Sequence, residues 1–220
     1  PEPITDYYML LSGIRVDTRD RFKKYAQVIE EKILQGEVKF DNNKKTLTYT
    51  EYGGNQTMEM NDVSSMISEI SPITAYLKYI VENTSEYEEK SISASQSILF
   101  IEEPEAHLHP KNQVELIRIF AELSKQNIKL ILASHSNYIF NELNNLVLAG
   151  ALDEKTYEPI LMKRSEGRSI TEYMPMDQFG VDDENFADVA DELVEEREQL
   201  IQGIMEKLQK GTNDTENQRE

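Results

Sequence analysis

The sequence predicts an α/β protein built on a parallel sheet with crossover helices. Two short apolar runs, Ser97–Ile101 and Ile128–Ala133, stop abruptly at polar residues and read as strands buried on both faces, as parallel strands are. Amphipathic helical patterns follow each of them, over Asn112–Gln126 and Asn137–Leu148. Two more strand-like runs, Glu158–Met162 and Ser169–Tyr173, complete an order of strand, helix, strand, helix, strand.

The opening, Pro1-Glu2-Pro3-Ile4-Thr5, has no initiator Met and reads as a cut inside a longer protein. Asp17–Leu34 reads as a helix. Asp17 or Thr18 can cap it, Phe22, Tyr25, Ala26, Ile29 and Ile33 recur at helical spacing, and Gly36 is expected to stop it. Glu37–Phe40 and Thr46–Tyr52 form a hairpin across the turn-prone Asp41-Asn42-Asn43-Lys44, which Gly53-Gly54-Asn55 closes. Asn61 or Asp62 then precedes a long helix through Met66, Ile70, Ile73, Leu77 and Ile80 that ends near Asn83. After the α/β run, Phe186, Val189, Leu193, Leu200, Ile204 and Leu208 mark a last amphipathic helix, and Gly211–Glu220 is polar without periodicity and expected to be disordered.

Composition narrows the function classes. The 220 residues hold 23 Lys+Arg against 41 Asp+Glu, a net charge of −18, which makes a poor general binder of nucleic acid or anionic lipid while leaving room for a local basic groove. The absence of cysteine excludes a disulfide framework, a cysteine zinc site and a thiol nucleophile. No run reaches the roughly 18 apolar residues of a membrane span and no signal peptide opens the chain, so a soluble, cytoplasmic protein is expected. Residues 182–220 carry 13 acids and 4 bases, a net −9 and half of the total. The expected organisation is therefore a body over 1–181, an acidic helix over 182–210 and a tail over 211–220.

The chemistry concentrates in Ile98-Leu99-Phe100-Ile101-Glu102-Glu103-Pro104-Glu105-Ala106-His107-Leu108-His109-Pro110. Four apolar residues end in two adjacent carboxylates, and on a strand successive side chains point to opposite faces. One carboxylate can then hold Mg²⁺ while the next faces another part of the site. The C-terminal edge of a parallel sheet is where open α/β folds bind ligands. The second strand ends alike, in Ser134-His135-Ser136, and all three histidines of the chain, His107, His109 and His135, lie just past these two strand ends. His107 and His109 can equally be ordinary loop residues. The carboxylate pair is harder to dismiss, because two ionised carboxylates beside a buried strand are costly unless a cation or proton shares the site.

This run resembles the Walker B strand, D-loop and switch-histidine strand of ABC-type ATPases. It is most similar to the overcoming-lysogenisation-defect (OLD) group and the bacterial AAA-15/AAA-21-type ATP-binding proteins, where the form Glu102-Glu103-Pro104-Glu105-Ala106-His107-Leu108-His109-Pro110 is usual. The stretch Asp62-Val63-Ser64-Ser65-Met66-Ile67-Ser68-Glu69-Ile70-Ser71-Pro72 resembles that family's degenerate signature motif, without its serine-glycine-glycine core. The resemblance covers roughly residues 1–175 and implies a parallel-sheet, P-loop-type half-domain with an N-terminal helix and hairpin and a C-terminal acidic helix. It implies ATP and Mg²⁺ as ligands. Glu102 would bind the metal. Glu103 would polarise the attacking water, or else serve as a second metal ligand. His135 would contact the γ-phosphate. Glu105–His109 would form the D-loop at a dimer interface, with His109 at the nucleotide. Ser64 and Ser65 would touch the γ-phosphate held by the opposite subunit, with the helix N-terminus favouring an anion. A plain helix cap is their alternative role.

The phosphate loop of this class, Gly-x-x-x-x-Gly-Lys-Ser/Thr, does not occur in the sequence. The expectation is thus the C-terminal half of an ATPase head. A second copy of the chain or a partner chain would complete the site, an effector protein would be driven by it, and nucleic acid would be met only through the parent protein. Two other classes compete. One is a metal-dependent hydrolase using Glu102, Glu103, Glu105, His107, His109 and His135, whose residue types suit Zn²⁺ or Mn²⁺. The other is a non-catalytic interaction lobe. The helix around Phe186–Leu208 can be a dimer contact or effector dock, or a lid on the domain's own sheet, while Arg164 and Arg168 read as solvated turn residues.

Overall fold

The structure is a computed structural model that describes residues 22–41, 43–81, 97–177, 179–181 and 192–205. The expected caps Asp17 and Thr18, the helix end at Asn83, the residues Phe186, Val189 and Leu208, and the tail over 211–220 lie outside the described residues. The chain divides into two compact units, Pro1–Thr156 and Tyr157–Glu220. Among the described residues no helix is long and apolar enough to cross a membrane.

The first described element of the first unit is α1 (Lys23–Ile29), which runs on through a π-helical stretch, Glu30–Leu34. Tyr25, Ala26, Ile29, Ile33 and Leu34 are buried, the face that the spacing predicts. The stop differs from the expectation by one residue. Gln35 ends the helix in the left-handed conformation (φ 53°), and Gly36 already begins β1 (Gly36–Asp41). There the missing side chain matters for another reason, because a Cβ at Gly36 would collide with the Tyr49 ring. β1 pairs antiparallel with β2 (Thr46–Glu51), Gly36 facing Glu51 and Asp41 facing Thr46. The Asp41 carboxylate turns the corner by accepting the amides of Asn43 (2.8 Å) and Lys44 (3.1 Å). A third strand, β3 (Thr57–Glu59), adds to β2. At three residues it is too short for the alternation by which strands are recognised in a sequence.

The helix α2 (Ser65–Ala75) also passes into a π-helical stretch, Tyr76–Ile80. Its cap is Ser64, two residues beyond Asp62. Within it Pro72 supplies no amide. The buried hydroxyls of Ser71 and Thr74 donate back to the carbonyls of Ile67 (2.6 Å) and Ile70 (3.1 Å), so neither is left unsatisfied. The two π-helical stretches and the hairpin meet at an ion pair whose acid, Glu30, is buried and whose base, Lys78, is half-buried. Lys78 Nζ lies 2.8 Å from Glu30 Oε1, the same oxygen accepts the Val38 amide at 2.7 Å, and Lys78 donates to the Val38 carbonyl at 2.8 Å.

The α/β run is β4 (Ile98–Glu102), α3 (Pro110–Ser124), β5 (Lys129–Ala133) and α4 (Asn137–Leu148). β4 and β5 are parallel neighbours, from Ile98 facing Lys129 to Glu102 facing Ala133. One face of this pair, Leu99, Ile101, Leu130 and Leu132, packs on the core that holds Leu116, Ile117, Phe120 and Leu123 of α3. The expectation of burial on both faces is corrected. Ile98, Phe100 and Ile131, on the opposite face, are 61%, 66% and 52% exposed, because among the described residues the helical layer lies on one side only.

The second unit corrects another expectation. β6 (Ile160–Ser165) and β7 (Arg168–Tyr173) form an antiparallel hairpin of their own, and do not extend the parallel sheet. Their connection, Glu166-Gly167, has φ of 50° and 79° and is a two-residue hairpin turn, too short for a parallel crossover. β8 (Met176–Asp177) and β9 (Gly180–Val181) pair next, and residues 192–205 form α5.

Glu30→Ala would leave both the Val38 amide and the Lys78 ammonium without that acceptor. It should lower the unfolding free energy by about 3–5 kcal/mol, the cost of breaking a buried pair on one side. Urea unfolding of the two proteins checks this, and a loss below about 1 kcal/mol would show that the pair behaves as a surface one.

Candidate functional site

The β4–β5 register brings two polar strand ends together. Glu102 faces Ala133, and the Glu103 amide continues the ladder by donating to the Ala133 carbonyl at 2.7 Å. Beyond this point the chain leaves the sheet sharply. Glu103 (φ 46°) and His107 (φ 57°) both adopt left-handed backbone, an uncommon conformation for residues other than glycine. Ala106 donates to the Glu103 carbonyl (2.9 Å) and Leu108 to the Glu105 carbonyl (3.0 Å), while Pro104 and Leu108 are buried and anchor the loop. Strain of this kind is kept where neighbouring structure over-determines it, commonly at functional sites.

Glu102 and Glu103 are both exposed and line a cleft of about 450 Å³. Its other walls are Ile101, Pro104 and Ala106 from the β4 side and Glu69, Ile70 and Ile73 from α2. The helix of the signature-like stretch therefore stands against the carboxylate pair within one chain. His107 Nε2 approaches Glu69 Oε1 at 3.5 Å across that junction, with both side chains exposed.

The remaining candidates have local partners. Ser64 caps α2, its Oγ accepting the Ile67 amide at 3.5 Å, and neither Ser64 nor Ser65 lines the cleft. His109 caps α3, Nδ1 accepting the Lys111 amide at 3.3 Å. His135 is exposed and lies outside the cleft wall, and its backbone is held by a contact that the sequence pattern did not single out. Glu105 Oε1 accepts the His135 amide at 2.6 Å, and Glu105 Oε2 accepts the Ser134 hydroxyl at 2.8 Å. A second bridge runs beside it. Ser136 Oγ donates to Gln113 Oε1 at 2.6 Å and accepts the Ile139 amide at 3.3 Å to cap α4, and Gln113 Nε2 donates to the Leu108 carbonyl at 2.9 Å. The available signal was the flanking of His135 by two serines, a polar run directly after an apolar strand. Among the described residues no three His, Asp or Glu side chains gather as a metal cage, so the six candidate ligands of the metal-hydrolase alternative are not assembled.

The left-handed backbone at Glu103 predicts an unusual stability pattern. Glu103→Gly should match or exceed the parent stability, whereas Glu103→Val should fall at least about 1 kcal/mol below it. Thermal unfolding of both variants reads the difference, and equal loss in the two would refute the strain.

The sequence matches the AAA_15 family, described as AAA ATPase domain, over residues 11–140. No curated protein matches it. Among solved structures it is similar to one titled for the ATP-driven dimerization and DNA-stimulated activation of SMC ATPases, at 10% identity and TM-score 0.44, covering 78% of this chain and 88% of that one. It is also similar to the SMC head domain from Thermotoga maritima, at 11% identity and TM-score 0.43, covering 78% and 52%. A third is the SMC head bound to the C-winged helix domain of ScpA, at 11% identity and TM-score 0.46, covering 76% and 49%, so the chain spans about half the length of the last two. The family match takes in more than half of the sequence, including the carboxylate strand, its loop and the His135 strand, and the chain belongs to the AAA ATPase domain family.

Proposed function

We propose that this chain provides the C-terminal half of an ABC-type, OLD-like ATP-binding and ATP-hydrolysing head. One observation carries the reading, namely the parallel register that sets Glu102-Glu103 beside Ser134-His135 at one sheet edge, with a cleft opening along the carboxylates. Glu102 is the Mg²⁺ position, directly or through water. A single exposed carboxylate fits that ion, which keeps several waters and takes its other ligands from phosphate. When bound with nucleotide, Mg²⁺ neutralises charge developing on the transferred phosphoryl group. Glu103 polarises the attacking water, and its left-handed backbone turns it out of the strand's alternation. His135 contacts the γ-phosphate from the neighbouring strand end.

The phosphate loop comes from a further α/β segment, on the same polypeptide or a partner chain. The exposed apolar face of Ile98, Phe100 and Ile131 supports this, because a parallel sheet is ordinarily covered on both faces. The complete head dimerises around nucleotide, with Ser64 and Ser65 at the start of α2 facing the γ-phosphate of the opposite subunit and the loop of Glu105–His109 at the junction. Residues 1–181 form the head portion, 182–210 an acidic helix and 211–220 a tail. The protein acts in the cytoplasm and couples hydrolysis to an effector.

In a form carrying the phosphate loop, Glu103→Gln should lower kcat for ATP at least about 100-fold, the scale of a lost general base, while Mg-ATP binding is retained. Glu102→Ala should instead weaken Mg-ATP binding. Steady-state turnover and calorimetric titration separate the two, and normal hydrolysis by Glu103→Gln would overturn the role of Glu103.

A further inference from the structure

Glu105 belongs by its place in the motif to a loop that faces a dimer partner, yet its carboxylate turns inward. Both oxygens are engaged 29 and 30 residues along the chain, Oε2 with the Ser134 hydroxyl at 2.8 Å and Oε1 with the His135 amide at 2.6 Å. Hydrogen bonds to an ionised carboxylate are the short, strong kind. The anchor is itself braced. Ser134 Oγ also accepts the Ser136 amide at 3.0 Å, and Ser136 Oγ is fixed on Gln113 of α3 at 2.6 Å. Half-buried Glu105 and Ser134 thus hold an exposed histidine whose own side chain has no role in the attachment. The β4 end and the β5 end are joined beyond the last ladder bond, at the residue whose side chain the proposed chemistry uses.

We propose that Glu105 is a positioning residue, a clamp that fixes the backbone of His135 and so sets its imidazole for the phosphoryl-transfer step. This rests on the ATPase reading given above. A clamp differs from a charge acting on substrate in one testable respect. Glutamine keeps an oxygen for the His135 amide and an NH₂ group that can donate to Ser134 Oγ, so it preserves the geometry without the charge.

The test uses Glu105→Ala, Glu105→Gln and Ser134→Ala in the full protein with its phosphate loop. Glu105→Ala should lower kcat at least 10-fold with KM for Mg-ATP within 2-fold, Glu105→Gln should stay within about 3-fold of the parent, and Ser134→Ala should fall between them. Adding Glu105→Ala to a His135→Ala background should cost nothing more, since the clamp acts through that ring. Amide exchange at His135, followed by NMR, should accelerate at least 10-fold in Glu105→Ala and little in Glu105→Gln. The proposal is overturned if Glu105→Gln is as inactive as Glu105→Ala, if the two losses add in the double variant, or if His135 exchange is unchanged. A parent protein that turns over no ATP removes the ATPase reading itself, and the exchange measurement then still decides whether the clamp exists.

Discussion

The five residue pairs of the β4–β5 ladder are the constraint on which the candidate site depends. A parallel pair cannot close through a tight turn, so its alignment is set by what connects and supports it. Here that is α3, whose Leu116, Ile117, Phe120 and Leu123 lie buried beneath the strands. α3 also carries the links outward. Glu115 reaches Lys32 at 2.7 Å on the π-helical end of α1, and Arg118 reaches Glu142 of α4 at 2.7 Å. A slip of one residue along the ladder would reverse the faces of Glu102 and part Glu103 from Ala133, and both strand-end loops would lose their common edge.

Apolar period was enough to find most of the elements. The buried face of α1, the β1–β2 hairpin and the span of α4 from Asn137 to Leu148 follow from spacing and turn chemistry alone. The failures share a cause, which is that a local pattern does not say what covers it. Ile98, Phe100 and Ile131 read as core because they are apolar, but exposure is decided by whether a second layer arrives. The pairing of β6 with β7 is hidden from the sequence for a related reason. Strand order suggested one continuing sheet, while Glu166-Gly167 needed only two residues to fold the chain back on itself. The π-helical stretches at Glu30–Leu34 and Tyr76–Ile80 left no periodic signature over five residues each.

At the site the division is similar. Residue type at a strand end marked Glu102, Glu103 and His135, because carboxylates and imidazole after an apolar run need a reason. It could not show that Ser64 and His109 act as helix caps, since capping and ligand binding call on the same polar atoms. Nor could it pair Glu105 with Ser134 and His135 across 29 and 30 residues, a contact that exists only once the strands are aligned. The cleft wall from Glu69, Ile70 and Ile73 is likewise a tertiary fact, produced by where α2 packs.

The two-stranded parallel sheet has a consequence for the chain's behaviour in solution. Among the described residues β4 pairs with β5 alone, and the outer edge of each strand meets no other described strand beside its apolar surface. Such an edge is a template for strand addition, by which identical chains associate into open-ended assemblies. Its natural guards are absent from the middle of the strands, where Leu99, Phe100 and Ile101 stand against Leu130, Ile131 and Leu132. The net charge of −18 is the deterrent that remains, through mutual repulsion of copies, and salt weakens it. Wherever that edge is open to another copy, the same strands that align the carboxylates make colloidal stability depend on ionic strength.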